Sequence, residues 1–123
     1  MAAIMKFLCV AILFSLIMGG DCQHCTKNNL KISQAATGKL VQNKPEWNVT
    51  ITNNCICSQL GVKISCDGFQ TLEKIESSIL SKSGSECLVN GGQPIYGNRD
   101  FSFTYAWGNS FPFKTLSSQV ACS

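Results

Sequence analysis

The chain has 123 residues, eight cysteines and a formal net charge of +3. This length suits one domain with a modest core once any targeting segment is removed. The basic residues are scattered along the chain, which argues against a nucleic-acid partner, because binding phosphates requires a basic strip.

The N-terminus has the organisation of a secretory signal peptide. Lys6 precedes the apolar run 7–18, and two glycines follow it. This run is shorter than the roughly 20 apolar residues that cross a bilayer, so a membrane anchor is the weaker alternative. We predict a signal peptide over residues 1–22, cleaved between residues 19 and 23, and a cysteine-rich domain over residues 23–123. No membrane segment is expected after cleavage.

The cysteines that remain form an even set, which an oxidising compartment would join in pairs. They are Cys25, Cys55, Cys57, Cys66, Cys87 and Cys122, with Cys22 at the cleavage point. On an extended segment the Cα atoms of Cys55 and Cys57 would lie about 6.5–7 Å apart, at the limit of disulfide reach. We expect these two to bond to different distant partners, and the sequence leaves the connectivity open.

The first half of the cysteine-rich domain contains two segments with strand periodicity. An alternating segment starts at Leu30, and turns are predicted at residues 37–38 and 43–45. The segment 46–53 then alternates between apolar and polar side chains, as a half-buried strand does. Asn48-Val49-Thr50 is a glycosylation sequon, and Asn48 falls on the polar face, so we predict an accessible acceptor.

The second half continues the pattern of short strands between turns. Residues 62–66 alternate as a strand, and residues 69–72 are a second short candidate. The serine-rich segment 73–84 is predicted to be a loop with one helical turn. The segment 101–107 places four aromatic side chains on one face and is the strongest strand, and a last strand is predicted near 116–122. The pattern indicates an all-β fold, a small disulfide-stapled antiparallel β-sandwich.

Motifs for catalysis, redox chemistry or metal binding lack the context that they need. Cys22 and Cys25 form a C-x-x-C, but it precedes a strand, whereas redox enzymes place it at a helix start. These two with Cys55 and Cys57 could ligate zinc, but oxidised pairs are far commoner in the secretory pathway. His24 lies near the new N-terminus, and the acids show no paired pattern typical of glycosidases. We therefore expect no enzyme, cofactor or metal.

Two segments are candidates for recognition of a partner. The first is the loop 88–97, which is tethered by Cys87 and shaped by glycine and proline. Its predicted contacts are Asn90, Gln93, Ile95 and Tyr96. The second is the bend 111–113, Phe-Pro-Phe, for which core packing is the preferred interpretation.

The combined pattern resembles the Tapetum Determinant family of land plants. The segments that carry the resemblance are Cys25, 47–55, 62–66, 68–69, 87–94 and 121–122. The stretch Cys-Leu-Val-Asn that begins at Cys87 is its most specific mark, and the cysteine spacing comes next. Only Ile56 separates Cys55 from Cys57, which is closer to a shorter-corner branch than to the anther-determining member.

The resemblance implies a secreted, cysteine-rich ligand of the apoplast that binds the ectodomain of a leucine-rich-repeat receptor kinase. Family members act in anther cell fate, notably in specification of the tapetum. For such a ligand, the loop 88–97 that its own residues single out is our candidate for the receptor contact. Two other functions stay open. A cell-wall carbohydrate-binding module would need exposed flat rings among Trp47, Tyr105 and Trp107. A small defence protein or protease inhibitor would use a strained loop near Gln93.

Overall fold

The computed structural model describes residues 25–122, which form two antiparallel sheets around one core. The first sheet has the order β1-β2-β6, with β1 at Leu30–Val41, β2 at Lys44–Asn53 and β6 at Asp100–Ala106. The second has the order β4-β5-β3-β7, with β3 at Ser58–Ser65, β4 at Leu80–Ser83, β5 at Glu86–Val89 and β7 at Thr115–Ala121. Short 3₁₀ turns occupy Lys27–Asn29 and Asn90–Gly92.

The predicted all-β, antiparallel, disulfide-stapled fold is confirmed by these two sheets and three disulfides. The predicted signal peptide and its cleavage site lie outside the described residues. Between residues 25 and 122 no helix is long and apolar enough to cross a membrane.

The core forms where the inward side chains of the two sheets meet. Alternation along β2, β3 and β6 directs every second side chain inward, as the strand period of two requires. The inward residues, each 5% exposed or less, are Val49, Ile51, Val62, Ile64, Phe103 and Tyr105. Burying a large apolar side chain stabilises the fold by about 1.5–3 kcal/mol relative to leaving it exposed, so this row supplies much of the driving force.

The β1–β2 hairpin differs from its prediction at one turn. The Thr37-Gly38 step is a bulge inside β1, with a register shift between Ala36 and Leu40, and the chain continues as strand. The hairpin closes at Gln42 and Asn43, which both have positive φ, because Val41 pairs with Lys44 and leaves a two-residue loop.

Two expectations between β3 and β5 are wrong. Residues 69–72 do not form a strand. Their hydrogen bonds to Ala106 at the end of β6 are one from Ala106 N–H to the Thr71 hydroxyl oxygen and one from Leu72 N–H to Ala106 O, and these do not make a ladder. The predicted loop over 73–84 ends in strand β4, which pairs with β5 from Leu80 opposite Val89 to Ser83 opposite Glu86. Its serines and lysine occupy an edge strand, where polar outward side chains hide the apolar alternation. The single helical turn is present, since Leu80 N–H bonds to Glu76 O at 3.1 Å.

Candidate functional site

Two disulfides converge on one short segment of the sandwich. Cys25 bonds to Cys55 across 30 residues of sequence, and Cys57 bonds to Cys122 across 65. Cys55 and Cys57 therefore take different partners, and the segment 54–57, which we call the disulfide corner, is tied to both ends of the described chain. The third bridge joins Cys66 and Cys87 in the second sheet.

The loop 90–99, which we call the anchored loop, is fixed to this corner by backbone hydrogen bonds. Ile95 and Gln59 exchange two of them, at 2.8 and 3.0 Å. Asn98 N–H lies 3.0 Å from the carbonyl oxygens of both Asn53 and Cys55, and Asn53 N–H donates to Arg99 O at 2.9 Å. The loop is thereby held along most of its second half.

Two buried amide side chains complete the attachment. Asn53 and Gln59 are both 0% exposed. Asn53 Nδ2 donates to Cys57 O at 2.8 Å and to Ile95 O at 2.9 Å, so one side chain bonds to the corner and to the loop. Gln59 Nε2 donates to Thr26 O at 2.9 Å and to Asn53 Oδ1 at 3.3 Å. A buried polar group without a partner costs about 1–3 kcal/mol of stability. Loop conformations that break this network are therefore less stable than the observed one.

Our sequence reasoning missed both amides, although one signal for Asn53 was available. Asn53 follows Val49 and Ile51 at the same period-two spacing, so it occupies a core position of β2. A polar residue at such a position is buried with hydrogen-bond partners more often than it is left alone. Gln59 had no comparable signal, because a register shift after Leu60 interrupts the alternation of β3.

Gly97 is the point of closest approach between the anchored loop and the corner. A Cβ atom at this position would lie 2.1 Å from Ile56 O and 3.0 Å from Cys55 O. No side chain fits there, so the backbone of the loop lies directly against the backbone of the corner.

This close packing leaves two large apolar side chains in solvent, which together we call the apolar corner patch. Tyr96 is 63% exposed and Ile56 is 67% exposed, and they emerge from the two segments that meet at Gly97. Asn98 and Arg99 are exposed beside them in sequence. Exposed apolar groups with a polar rim are typical of surfaces that bind another protein.

The predicted partner contacts in loop 88–97 do not share one environment. Leu88 and Val89 belong to strand β5 and are not part of a loop. Ile95 is 3% exposed because its bridge to Gln59 turns it into the core, so its side chain offers a partner almost no surface. Asn90 is half-buried, and its Nδ2 donates to Pro94 O at 3.3 Å, which shapes the turn. Gln93 and Tyr96 are exposed, and their contact with a partner stays a prediction.

The sulfur atoms of Cys25, Cys55 and Cys57 lie within 4.8 Å of one another, which is close enough for three thiolates to bind one metal ion. All three are engaged in disulfides. A disulfide sulfur has no thiolate charge to offer a metal, so the cluster in this state has the chemistry of a structural cross-link.

The structure brings together two acids that the sequence does not pair. Interaction with the Glu73 carboxyl group is the main cause that lowers the pKa of Glu46, aided by the Thr37 hydroxyl, which donates to Glu46 Oε1 at 2.8 Å, and by Lys39. Burial raises the pKa of Glu73, and the neighbouring Glu46 raises it further.

The aromatic residues considered for sugar stacking face inward. Tyr105 is 0% exposed, and Trp47 and Trp107 are half-buried against the core, joined by a 3.2 Å bond from Trp47 Nε1 to Trp107 O. Phe111 and Phe113 also pack in the core region, as the structural interpretation of the Phe-Pro-Phe bend expects. These positions do not favour a carbohydrate-binding platform.

Asn48 lies on the outward face of β2, opposite Thr104 of β6, and is partly exposed. Its Nδ2 is 3.5 Å from the hydroxyl of Thr50, the third residue of the sequon. The acceptor atom is therefore at the surface, and its glycosylation stays a prediction.

Comparisons with known proteins agree with the resemblance found in the sequence. The family model described as Tapetum determinant 1, C-terminal, matches residues 26–123. The chain is 30% identical over 103 residues to TPD1 protein homolog 1 of Arabidopsis thaliana, covering 81% of this chain and 56% of that protein. It is 28% identical over 80 residues to Uncharacterized protein At1g05835 of Arabidopsis thaliana, covering 63% of each. The chain thus spans less than two thirds of the length of these relatives. No solved structure matches it.

Proposed function

The chain belongs to the Tapetum determinant 1 family, and from that premise we propose that it is secreted to the apoplast and acts as a protein ligand for a leucine-rich-repeat receptor kinase ectodomain. The observation that carries the proposal is the apolar corner patch, in which Tyr96 and Ile56 are exposed on a rigid support. By its family, the biological role to test first is cell-fate specification in the anther, with the tapetum as the tissue to examine.

The rigidity of the support favours a role in binding. Ordering a flexible loop on association costs about 0.5–1.5 kcal/mol for each immobilised side chain. The anchored loop is already ordered in the free protein, because hydrogen bonds and the contact at Gly97 attach it to a corner that two disulfides hold in place. Tyrosine is also enriched among residues that dominate binding energy.

The shape of the proposed partner is compatible with this surface. Leucine-rich-repeat ectodomains are curved solenoids with an extended concave face that accommodates a compact protein. A small sandwich that presents an exposed edge of two apolar side chains, with the polar residues Asn98 and Arg99 beside them, suits such a face.

A direct test is the binding of the oxidised, secreted protein to a panel of leucine-rich-repeat receptor kinase ectodomains by biolayer interferometry. We expect saturable binding to at least one of them, and we expect Tyr96→Ala with Ile56→Ser to weaken it about tenfold or more, as hot-spot residues do. Neither substitution should destabilise the fold, because both side chains are exposed.

Leu40 provides the matched control, since it is 64% exposed but lies in β1, outside the anchored loop and the corner. Leu40→Ser should leave binding within about twofold, the range of a surface change away from the contact. Absence of saturable binding to every ectodomain, or equal losses from the patch and control variants, would reject the proposal.

A further inference from the structure

A groove of about 400 Å³ opens on the flank where the edges of the two sheets face each other. One wall is the start of β1, which is the edge strand of the first sheet, and the other is the segment 113–115 that enters β7, the edge strand of the second. The lining residues are Lys27, Asn28, Leu30, Lys31, Ile32, Phe113, Lys114 and Thr115.

The floor of this groove is apolar and its rim is basic. Leu30 is 5% exposed and Phe113 is 8% exposed, and Ile32 packs half-buried beside them. Lys27, Lys31 and Lys114 are exposed around this floor, and no lining residue is acidic.

These three lysines form no ion pair within residues 25–122, whereas Lys39, Lys63 and Lys74 each lie within 4.0 Å of a glutamate. Three like charges around one groove repel one another, and an anionic ligand relieves that repulsion. Charge complementarity therefore indicates a ligand that carries several carboxylates.

We propose that this groove binds an extended acidic segment of a partner protein, laid along the free edge of β1. An edge strand offers unpaired backbone N–H and C=O groups, and an added strand satisfies them. Along β1, Leu30 and Ile32 point to the floor and Lys31 points outward. A strand paired with β1 repeats this alternation, so its apolar side chains cover the floor while its acids lie opposite the lysines.

The nature of the floor favours a peptide over an acidic polysaccharide. Sugars stack on the open faces of aromatic rings, and Phe113, the aromatic residue in the lining, has only 8% of its surface exposed. Aliphatic side chains fit such a floor without needing a flat ring.

This proposal goes beyond the receptor-ligand function, because the groove shares no lining residue with the anchored loop or the apolar corner patch. Its test uses the isolated protein and a synthetic peptide. Failure of the groove therefore leaves the corner patch untouched, and failure of receptor binding leaves the groove untouched.

The experiment titrates the oxidised, secreted protein with a blocked peptide of alternating glutamate and valine, followed by backbone NMR shifts. We expect saturable shifts at Lys31, Ile32 and Lys114 that weaken as salt is added, because exposed charges are screened. The double variant Lys31→Glu with Lys114→Glu should weaken binding about tenfold, since each charge pair at the surface changes from attraction to repulsion.

The matched control is Lys44→Glu with Lys82→Glu, which changes the net charge equally at two exposed lysines outside the groove. It should leave binding within about twofold. Equal losses in the two variants would overturn the proposal in favour of general electrostatic attraction. Shifts that map outside the groove, or tighter binding of polygalacturonate than of the peptide at the same residues, would also overturn it.

Discussion

The two ends of strand β6 are held together by different means. At its start, two disulfides tie the disulfide corner to Cys25 and Cys122, and backbone hydrogen bonds and the buried amide of Asn53 join the anchored loop to that corner. At its end, the ring of Phe69 lies 5.2–5.6 Å from those of Tyr105, Phe111 and Phe113. We call these regions the disulfide end and the aromatic end.

The aromatic end uses its large side chains to fill space. The Tyr105 hydroxyl accepts from Phe111 N–H at 2.9 Å and donates to Gln34 Oε1 at 2.6 Å, so the polar atom of this buried ring is fully used. Edge-to-face ring pairs add about 0.5–1.5 kcal/mol each beyond the area that they bury. These rings mainly pack against one another, and the small exposed part of Phe113 contributes to the floor of the basic groove.

The disulfide end reaches its stability by covalent and polar means, and this has a different consequence. Because cross-links and amides fix the backbone there, Tyr96 and Ile56 are not needed for packing and stay in solvent. The comparison indicates that the aromatic end stabilises the core, whereas the disulfide end exposes apolar side chains at the surface.

The largest expected effect comes from opening the disulfide end. Replacing Cys57 and Cys122 by serine removes a bridge across 65 residues, and the chain-entropy relation gives a loss of about 4 kcal/mol. Urea unfolding measures that loss. Hydrogen exchange should show that the amides of Ile95 and Asn98 exchange through local opening, with an opening free energy below that of global unfolding. The amide of Ala106 should exchange only through unfolding of the whole domain.

Removing the bridge between Cys66 and Cys87 gives the reciprocal experiment, because Cys66 O accepts from Phe69 N–H at 3.0 Å and so lies beside the aromatic end. It spans 21 residues, which corresponds to about 3 kcal/mol, to which the replaced core side chains add a cavity cost. We expect faster exchange at the aromatic end and retained protection at Asn98. If both variants loosen the same amides, the two ends are one cooperative unit and the comparison fails.

The next effect tests the contact at Gly97. In Gly97→Ala the new methyl group would lie 2.1 Å from Ile56 O, so the loop or the corner must shift, at a cost of about 1–3 kcal/mol. The urea midpoint should fall, and binding to a responsive ectodomain should weaken because the apolar corner patch is displaced.

Gly108 serves as the control for this substitution, since an added Cβ there meets nothing within 4 Å. Gly108→Ala should change stability by less than about 0.5 kcal/mol. Similar midpoints for the two alanine variants would show that the close approach at Gly97 does not constrain the anchored loop.

The smallest effect concerns the acid pair, which lies near the aromatic end because Glu46 pairs with Ala106 across the first sheet. The raised pKa of Glu73 means that the folded state binds this proton more tightly than the unfolded chain, whose ordinary value is 4.5. Native stability therefore falls as pH rises from that value through the raised pKa. Glu73→Gln should leave stability unchanged at low pH and increase it progressively at higher pH.

Thermal unfolding of both proteins between acidic and neutral pH measures this difference. Glu46→Gln should act with the opposite sign, because a lowered pKa contributes stability above 4.5 that is lost as pH falls. Glu76→Gln is the control, since this exposed residue pairs only with exposed Lys74 at 4.0 Å. A difference between wild type and Glu73→Gln that does not vary with pH would mean that the pKa of Glu73 is not raised in the folded protein.

Sequence reasoning predicted the elements whose periodicity is strong. The alternation through Trp47, Val49 and Ile51 and the aromatic row of 101–107 both correspond to observed strands, β2 and β6. β4 was missed because it contains one apolar residue, Leu80, followed by two serines and a lysine at a sheet edge, so it shows no apolar alternation.

The candidate site was predictable only in part. The spacing of Cys55 and Cys57 was enough to predict that they bond to different cysteines. Glycine and proline residues predicted the turn-rich loop that contains the exposed Tyr96. The contact of Gly97 with Ile56 and the pairing of Glu46 with Glu73 join residues far apart in the chain, and no local pattern encodes which distant segments meet. The burial of Ile95 follows from the same kind of long-range pairing, with Gln59.

The bond between Cys122 and Cys57 affects how reporter fusions of this protein should be built. It holds Cys122 against Cys57, the residue that follows Ile56, so a fluorescent protein or affinity tag joined shortly after Cys122 would stand beside the apolar corner patch. Such a fusion would obstruct the surface that is proposed to bind the receptor. The exposed two-residue turn at Gln42 and Asn43, beyond the aromatic end, is the better place to insert an epitope.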